Sequence, residues 1–548
     1  MPAASRILSR RRMIVLSSAT AASLLSAACG GQTAAVATAS APAATATAPA
    51  ASAVSVSSAT TAASAPAVAT SGAASSASLV QTASTTATSS SAAVSAAAKA
   101  PAPGTTTIEF WQYGGTPYQT VFEQWASQFA ATHSSIQVKD TTYATNNNQK
   151  LTVVMAAGTD PDAYLSDSDG FKNRAFAGLE GPIDDLVAQD KTVGANLKQM
   201  LPSAVQWYQY NGKSYGLPWD YGVSVVIYNL DHMHAAGLTP PAELASDPAK
   251  WTWDTLQQYA EQLTVQKAGS VDRAGLHLGW DGYEGSWYSL ALANGGRYYN
   301  QALDQCTIAG PACVKALDYA AAMAKAGGNA TPDWWKTVTG AYKNAAGVFT
   351  AGKVSMHYGV SAIFTALAQA KTGIAWDATF LPYDPTTGKT GNWSNMAGLV
   401  MNPQSKHRDE AFQFLVYLTT AEAQDAIAAA TGECPARLDS VAKTYLVPKV
   451  AGPPPGRSTL KPAIDASVTD GTPYVNEDDA WNWMTTAATD VFSGKSTAQE
   501  ALTALQSQMQ AAINTAKARG PRNKRSSGTA RRRRAARALA GRSSASSS

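Results

Sequence analysis

The chain has no aromatic residue in its first 105 positions. Its 14 Trp, 21 Tyr and 11 Phe residues all lie between Phe110 and Phe492. A segment without aromatics cannot bury enough apolar surface to offset the entropy lost on ordering. Only residues 106–515 of the 548 are therefore predicted to fold. This excludes a small disulfide-stapled module and a fibrous protein, and the length fits two lobes.

Acidic residues are missing from both ends of the chain. Residues 1–28 carry four Arg, and residues 517–548 carry eleven Lys or Arg, with no Asp or Glu in either stretch. The remainder holds 27 basic and 38 acidic residues, so the folded part is acidic although the whole chain has a pI near 8.6. The basic pI therefore does not indicate nucleic-acid binding by the core.

The N-terminus lacks an apolar run of the roughly 20 residues needed to span a bilayer. The run from Met13 to Leu25 is shorter, follows Arg10-Arg11-Arg12, and precedes small residues and Cys29. This order predicts a secretory signal peptide over 1–28. Its arginine pair resembles a twin-arginine signal, and residues 25–29 resemble a lipobox in which Ser26 departs from the usual Leu. Cys29 is the expected lipidation site, and ordinary cleavage nearby is the alternative.

Two segments lack the composition of a folded domain. Residues 29–105 are nearly all small or hydroxylated, with Lys99 as the one charge, and are predicted to form a disordered tether. Residues 516–548 are predicted to be a disordered basic tail, solvated or attracted to anionic lipid or wall polymer.

Cysteine and histidine are scarce, with four and six residues, and no metal-ligand or catalytic Cys/His spacing occurs. No metal and no cofactor are expected. In an exported protein, Cys306 and Cys313 are expected to form a disulfide, which leaves Cys434 unpaired. His232 and His234 are interpreted as exposed residues near a helix end.

Strands and helices alternate at the start of the core. Residues 107–111, 136–138 and 162–165 read as strands, a helix starts at Thr116-Pro117, and a second helix ends before Gly158. This β-α-β-α-β order predicts a parallel sheet with helices on both faces. Ligands of such sheets bind beyond the carboxyl ends of the strands.

Eight ordered motifs carry a family resemblance. They lie at 158–162, 215–218, 226–241, 251–254, 293–296, 349–356, 410–415 and 493–495. Together they resemble the family 1 extracellular solute-binding proteins of ABC importers, of the maltose-binding-protein type. The Ser-Gly-Lys at 493–495 is not a phosphate loop, because Thr489 stands where that loop needs Gly; Thr497 and Glu500 predict a capping box instead.

The resemblance implies a two-lobed α/β fold of the class II periplasmic-binding-protein type, each lobe a mostly parallel sheet flanked by helices. The first lobe would comprise 106–221 plus 396–435, and the second 222–395 plus 436–515. Crossings are expected near 219–222, near 393–397 and after Pro435. The implied protein is a monomeric, lipid-anchored receptor on the outer face of the cytoplasmic membrane, which passes a sugar or oligosaccharide to a permease and catalyses nothing.

Sugars offer apolar faces to aromatic rings and hydroxyl edges to carboxylates. Position in the chain and the resemblance together select the candidate ligand-binding residues Trp111, Tyr113, Asp169, Trp219, Asp220, Tyr221, Trp280, Tyr283, Trp287, Tyr358, Trp393 and Trp481. Trp207, Trp334 and Trp335 are interpreted as packing or surface residues.

Two other functions are considered. A surface glycosidase or lyase needs two carboxylates flanking a bond, which Asp167, Asp169, Asp220, Asp281 and Glu284 could supply. A surface adhesin would suit the long tether and the basic tail.

Overall fold

The computed structural model describes residues 104–113, 116–143, 147–168, 170–280, 286–370, 373–393, 395–468 and 470–520. They fall within one compact unit, Ser95–Ser548. The predicted signal peptide, Cys29, nearly all of the tether and the tail beyond residue 520 lie outside the described residues. Within the described ranges, no helix is both long and apolar enough to cross a bilayer.

Fifteen strands are described, most of them short. They are β1 (Thr106–Gln112), β2 (Ile136–Thr142), β3 (Ala163–Asp167), β4 (Gln209–Tyr210), β5 (Lys213–Ser214), β6 (Gly216–Tyr221), β7 (Ser224–Asn229), β8 (Val265–Lys267), β9 (Ser270–His277), β10 (Val354–Val360), β11 (Trp376–Phe380), β12 (Asn392–Trp393), β13 (Met396–Met401), β14 (Cys434–Pro435) and β15 (Ser467–Val468).

The α-helices of the first half of the core are α1 (Thr116–Thr132), α2 (Asn147–Ala157), α3 (Phe171–Phe176), α4 (Asp184–Gln189), α5 (Lys191–Leu197), α6 (Pro202–Trp207), α7 (Leu230–Ala235), α8 (Pro241–Leu244), α9 (Trp253–Leu263) and α10 (Ser286–Ala293).

Those of the second half are α11 (Pro311–Lys325), α12 (Pro332–Tyr342), α13 (Ala345–Thr350), α14 (Ile363–Gln369), α15 (Arg408–Tyr417), α16 (Ala421–Thr431), α17 (Leu438–Ser440), α18 (Pro448–Ala451), α19 (Lys461–Asp465), α20 (Glu477–Phe492) and α21 (Ala498–Arg519). A π-helical turn covers Val441–Tyr445, and a 3₁₀ turn covers Pro455–Thr459.

Local sequence signals account for the first five elements. The predicted order β1-α1-β2-α2-β3 is confirmed, and β1 pairs in parallel with both β2 and β3. On α1, Val121, Phe122, Trp125 and Phe129 are buried at helical spacing against the sheet. Gly158 follows α2 with φ +70°, the left-handed conformation that glycine adopts most readily.

Two sheets form the cores of two lobes. The six-stranded first sheet has the order β14-β6-β13-β3-β1-β2, and the five-stranded second sheet has the order β11-β7-β10-β9-β8. Both are mixed, whereas the prediction was mostly parallel sheets. β13 runs antiparallel to β3 and β6, and β7 runs antiparallel to β10 and β11. In these two sheets, parallel pairs come only from strands that are joined through helices within one lobe. A strand that follows a crossing from the other lobe enters the sheet from the opposite end and therefore pairs antiparallel.

The chain passes between the sheets twice at one edge of the first sheet. It leaves after Tyr221, the last residue of β6, and returns just before Met396, the first residue of β13. The two passages lie side by side, because Gly222 N donates to Asn395 O (2.6 Å) and Ala397 N donates to Asp220 Oδ1 (2.8 Å). These contacts form the hinge between the lobes.

The third passage lies several residues beyond Pro435. Beyond Pro435 the chain still contacts the first lobe, since Leu201 N donates to Ala436 O and Arg437 Nη1 to Asn196 Oδ1. Contact with the second sheet begins by Gly456, whose N–H donates to Asp377 Oδ1 (2.6 Å). The third crossing therefore falls within residues 438–456.

The last helix extends beyond the predicted end of the core. α21 begins with the predicted capping box of Thr497 and Glu500 and continues to Arg519. Residues 516–519, predicted as disordered tail, are thus helical. Lys517 Nζ lies 2.8 Å from Asp304 Oδ2, which fixes this end of the helix on the second lobe.

Replacing Gly275 by Ala is expected to destabilise the second lobe by about 1–3 kcal/mol or more. A Cβ at this β9 position would lie 1.8 Å from the carbonyl oxygen of Ala260 in α9, so helix and sheet would have to separate. Chemical denaturation measures the change. Gly340→Ala in α12 is the matched control, because a Cβ there meets nothing within 4 Å and should stabilise the helix by about 0.5–1 kcal/mol. Equal effects of the two substitutions would contradict the packing of α9 on β9.

Candidate functional site

The edge of the first sheet beside the hinge positions one wall of a site. Trp207, at the end of α6, is buried, and its Nε1 donates to Ser168 O (3.2 Å) just beyond β3. Ser168 Oγ in turn donates to Asn395 Oδ1 (2.8 Å). The indole is thus held at the carboxyl end of β3, the edge where the sequence places ligand binding.

Asp470 of the second lobe is held by two tyrosines. Its Oδ2 accepts hydrogen bonds from Tyr298 N (2.7 Å) and from the Tyr288 hydroxyl. The rings of Tyr288 and Tyr298 stack with centroids 3.4 Å apart. Burial raises the pKa of Asp470 to about 6, and these hydrogen bonds oppose the rise.

Glu477 connects the lobes. It is the first residue of α20, and its Oε2 accepts a hydrogen bond from Gly170 N (2.7 Å), immediately before α3 of the first lobe. Burial raises the pKa of Glu477 to about 7, while the positive charge of Lys172 opposes the rise. Nearby, Asn173 Nδ2 donates to Pro473 O (3.0 Å). The segment before α20 therefore lies directly against α3.

A pocket lies between these walls. Trp207 contributes from the first lobe, and the other lining residues belong to the second: Tyr298, Tyr299, Trp393, Asp470, Gly471, Glu477, Ala480, Trp481 and Met484. Its interior space is about 10 Å³, roughly what one water molecule needs. A sugar ring is much larger, so the walls would have to separate to admit one.

Of the twelve predicted ligand-binding residues, Trp393 and Trp481 line this pocket. Trp280 is half-buried on the second lobe, edge-on to His277 (5.4 Å), and does not line this pocket. Trp111 and Tyr113 are half-buried at the end of β1 and pack near Tyr143. Asp169 and Tyr283 lie outside the described residues.

Other predicted residues pack in cores instead. Trp219 is fully buried against Phe122 (5.1 Å), because the alternation of β6 points it toward α1. Tyr221, Trp287 and Tyr358 are also buried, and the Tyr358 hydroxyl bonds with Ser224 Oγ.

The carboxylate of Asp220 is buried and binds a backbone N–H of the hinge. It accepts a hydrogen bond from Ala397 N, and its environment raises its pKa, mainly through burial and then through the charge of Glu433. Asp220 therefore binds the backbone of the hinge and does not line the pocket, in contrast to the prediction.

Sequence reasoning missed five of the polar and aromatic residues around the pocket. They are Lys172, Tyr298, Tyr299, Asp470 and Glu477, and Trp207 was assigned to packing. Local signals existed for two sets: the Tyr-Tyr pair follows the Gly-Gly turn at 295–296, and three acids open α20. Nothing local marks Lys172 or Asp470.

The three described cysteines are free and buried, so the predicted bridge between Cys306 and Cys313 is not formed in this structure. Cys306 Sγ lies 3.5 Å from Met509 Sδ, pointing toward α21, and Cys313 lies on the buried face of α11. Burial raises the pKa of Cys306 to about 11 and that of Cys313 to about 12, so both are protonated and weakly nucleophilic at neutral pH.

His232 is not the exposed residue predicted. It is half-buried, and its Nδ1 lies 3.1 Å from Ser355 Oγ, while His234 is exposed. Across the described part of the chain, no group of three or more His, Cys, Asp or Glu side chains is arranged to hold a metal ion.

Residues 124–453 match the family model described as bacterial extracellular solute-binding protein. A lactose-binding protein of Rhizobium radiobacter is 24% identical over 317 residues, covering 56% of this chain and 69% of that protein. Among solved structures, the sugar-binding protein MalE from Xanthomonas citri superposes with TM-score 0.63 at 19% identity, over 75% of this chain and 98% of that one.

A second solved structure gives a similar match. An ABC substrate-binding protein from Listeria monocytogenes in complex with cycloalternan has TM-score 0.62 at 21% identity, covering 76% of this chain and 99% of that one. The superpositions confirm the two-lobed α/β fold.

Asp470→Asn is expected to change how stability depends on pH. The native pKa near 6 lies above the ordinary 3.8, so the native carboxyl keeps its proton to higher pH than the unfolded one. The stabilisation that the protonated Asp470 carboxyl gives the native state is complete below about pH 4 and is lost as pH rises through about 6. Wild type should lose roughly 3 kcal/mol relative to the variant across this window.

Chemical denaturation at pH 4, 5, 6 and 7 measures the difference. Asp318→Asn, on the exposed face of α11, is the control and should keep the profile of wild type. Parallel profiles for wild type and Asp470→Asn would contradict the burial of an ionisable carboxyl at this position.

Proposed function

Because the chain belongs to the bacterial extracellular solute-binding protein family, we propose that it is the receptor of an ABC importer and binds a sugar or oligosaccharide between its lobes. The family implies a location outside the cytoplasm. The proposed partner is the membrane permease of that importer. Support for a sugar comes from the relatives, which include a lactose-binding protein and a sugar-binding MalE.

The observation that carries the proposal is the composition of the pocket between the lobes. Indole rings come from both lobes, Trp207 from the first and Trp393 and Trp481 from the second, and Asp470 and Glu477 line the same pocket. Indole faces cover the C–H face of a pyranose, and carboxylates accept its hydroxyl protons. This pairing of stacking surfaces with acceptors suits a sugar better than an apolar ligand.

Binding is proposed to proceed by opening and closing of the lobes about the hinge. Opening would break the Gly170–Glu477 hydrogen bond, and closing on a sugar would replace it with contacts from the ligand to both walls. A ligand that touched one wall alone would bind both states equally and would not favour closure. Closure then presents to the permease a shape that depends on ligand.

No catalytic step is proposed. The carboxylates beside the pocket bind protein donors: Asp470 holds Tyr288 and Tyr298, and Glu477 holds Gly170. Asp220 holds the hinge. Incubation with oligosaccharides should therefore leave them intact, and release of shorter sugars would indicate a glycosidase. Binding to insoluble polymer without binding of short sugars would indicate an adhesin.

Trp481→Ala is expected to weaken binding of the sugar identified in a thermal-shift screen of lactose, maltotetraose and mannotriose. Loss of stacking alone is worth about 0.5–1.5 kcal/mol, a two- to twelvefold rise in Kd. Isothermal titration calorimetry measures the change. Trp483→Ala, on the same helix but outside the pocket, should keep the affinity of wild type. Unchanged affinity in Trp481→Ala would place the site elsewhere.

We also propose that Cys29 carries a lipid anchor and that residues 29–105 are a tether. The support is the arginine-rich start, the short apolar run and the small residues before Cys29. Cys29→Ala should release the protein into the medium or leave it unprocessed, as shown by fractionation and intact mass. A variant that stays anchored at wild-type mass would contradict lipidation.

A further inference from the structure

Lys172 is a buried cation that lies over an aromatic ring. Its side chain on α3 is 7% exposed, and its Nζ lies 3.4 Å from the ring centroid of Trp207. Among the residues that the structure describes, the ammonium forms no hydrogen bond and no ion pair within 4.0 Å. A buried ammonium has three donors that water no longer satisfies. The contact with the Trp207 ring therefore offsets only part of the cost of burying these three donors.

The charges around the pocket are mainly negative. Lys172 faces Asp470 and Glu477, whose charges oppose the lowering of its pKa to about 8 by burial. Asp167 adds a third carboxylate near Glu477. Arg174 forms an ion pair with Glu180 at 2.6 Å, both side chains being buried, and Arg297, whose charge also acts on Asp470, is exposed. Among the described residues around the pocket, Lys172 is thus a buried cation outside any ion pair, and several carboxylates surround it.

We propose that Lys172, Asp470 and Glu477 form a polar subsite that binds hydroxyl groups of an uncharged sugar and rejects anionic sugars such as uronates and sugar phosphates. This inference rests on the proposed function and adds the charge class of the ligand. A hydroxyl accepts a hydrogen bond from the ammonium and donates one to a carboxylate, so one group satisfies both. An anion would satisfy Lys172 but bring a further negative charge against the carboxylates in a desolvated site.

The placement of the three residues also serves closure. Lys172 belongs to the first lobe, and Asp470 and Glu477 belong to the second, across the contact between Gly170 and Glu477. Hydroxyls seated between them contact both lobes at once. Lys172 would then gain its missing acceptors only when the lobes close on a sugar, which couples the ligand to the closed state.

The test uses the full folded chain with neutral probes (lactose, maltotetraose and mannotriose) and anionic probes (glucuronate and glucose 6-phosphate). Wild type should bind at least one neutral probe and neither anionic probe by calorimetry. Lys172→Met should weaken binding of the neutral probe at least tenfold without lowering the Tm of the protein alone, since Met can keep the packing on Trp207 while removing a buried charge whose donors form no hydrogen bond with described residues. Glu477→Gln keeps an oxygen for Gly170 N–H and should gain measurable binding of an anionic probe. Lys495→Met, at an exposed ion pair with Asp490, is the control and should match wild type.

The outcomes separate this inference from the proposed function. If Lys172→Met binds the neutral probe as wild type does, or if wild type prefers an anionic probe, the subsite is refuted while sugar binding stands. If Lys172→Met lowers the Tm and leaves the affinity unchanged, Lys172 is a packing residue and the subsite is again refuted. If wild type binds none of the probes, the proposed function fails and the subsite fails with it.

Discussion

The hydrogen bonds between the first two crossings determine where everything else in the cleft lies. Asp220 Oδ1 holds Ala397 N–H, and Gly222 N–H is held by Asn395 O, so the passages out of and back into the first lobe form one ribbon. Ser361 Oγ accepts Val223 N–H from this ribbon and donates to Glu433. Because these groups are buried, breaking their hydrogen bonds would leave unsatisfied donors and acceptors. The lobe motion proposed above would keep these bonds if it were a rotation about this ribbon.

The contact between the lobes is polar where it meets the pocket. Glu477 uses its carboxylate on a backbone N–H, and Lys172 lies above Trp207. Both groups are desolvated, and the attraction between their opposite charges opposes the cost of that desolvation. A contact of this kind is less stable than an apolar one of the same area, because desolvation of charge offsets much of the attraction. Such an interface suits a protein whose lobes must separate and rejoin.

Local elements could be predicted from the sequence because their signals are local. The apolar stripe of α1, the break at Gly158 and the capping box of Thr497 each depend on residues within a few turns. The site depends on contacts between distant positions, such as Gly170 with Glu477. Trp207 and Trp219 show the difference: both are buried indoles beside the first sheet, but only α6 faces the pocket. Packing of the other lobe decides which face of a helix or strand lines the pocket, and the periodicity of the sequence does not indicate that packing.

The resemblance predicted the two-lobed α/β fold but not the direction of the strands within its sheets. A periodicity of two identifies a strand without stating its neighbours. β13 lies between β3 and β6 in the first sheet although it is separated from them by most of the second lobe. The antiparallel pairs arise from this interleaving, and they also explain why the hinge, the carboxyl end of β3 and the start of β13 share one edge.

This interleaving has a consequence for the order of synthesis. The first sheet begins with β1 at Thr106, but two of its six strands are β13 and β14, which follow all five strands of the second sheet in the chain. A nascent chain that has reached only β12 exposes the open edges of β3 and β6, with their backbone groups unpaired. The second sheet is continuous in the chain from β7 to β11 and can form earlier. The sheet that is begun first is therefore the one completed last, and it depends on contacts of long sequence separation, which are slow to form.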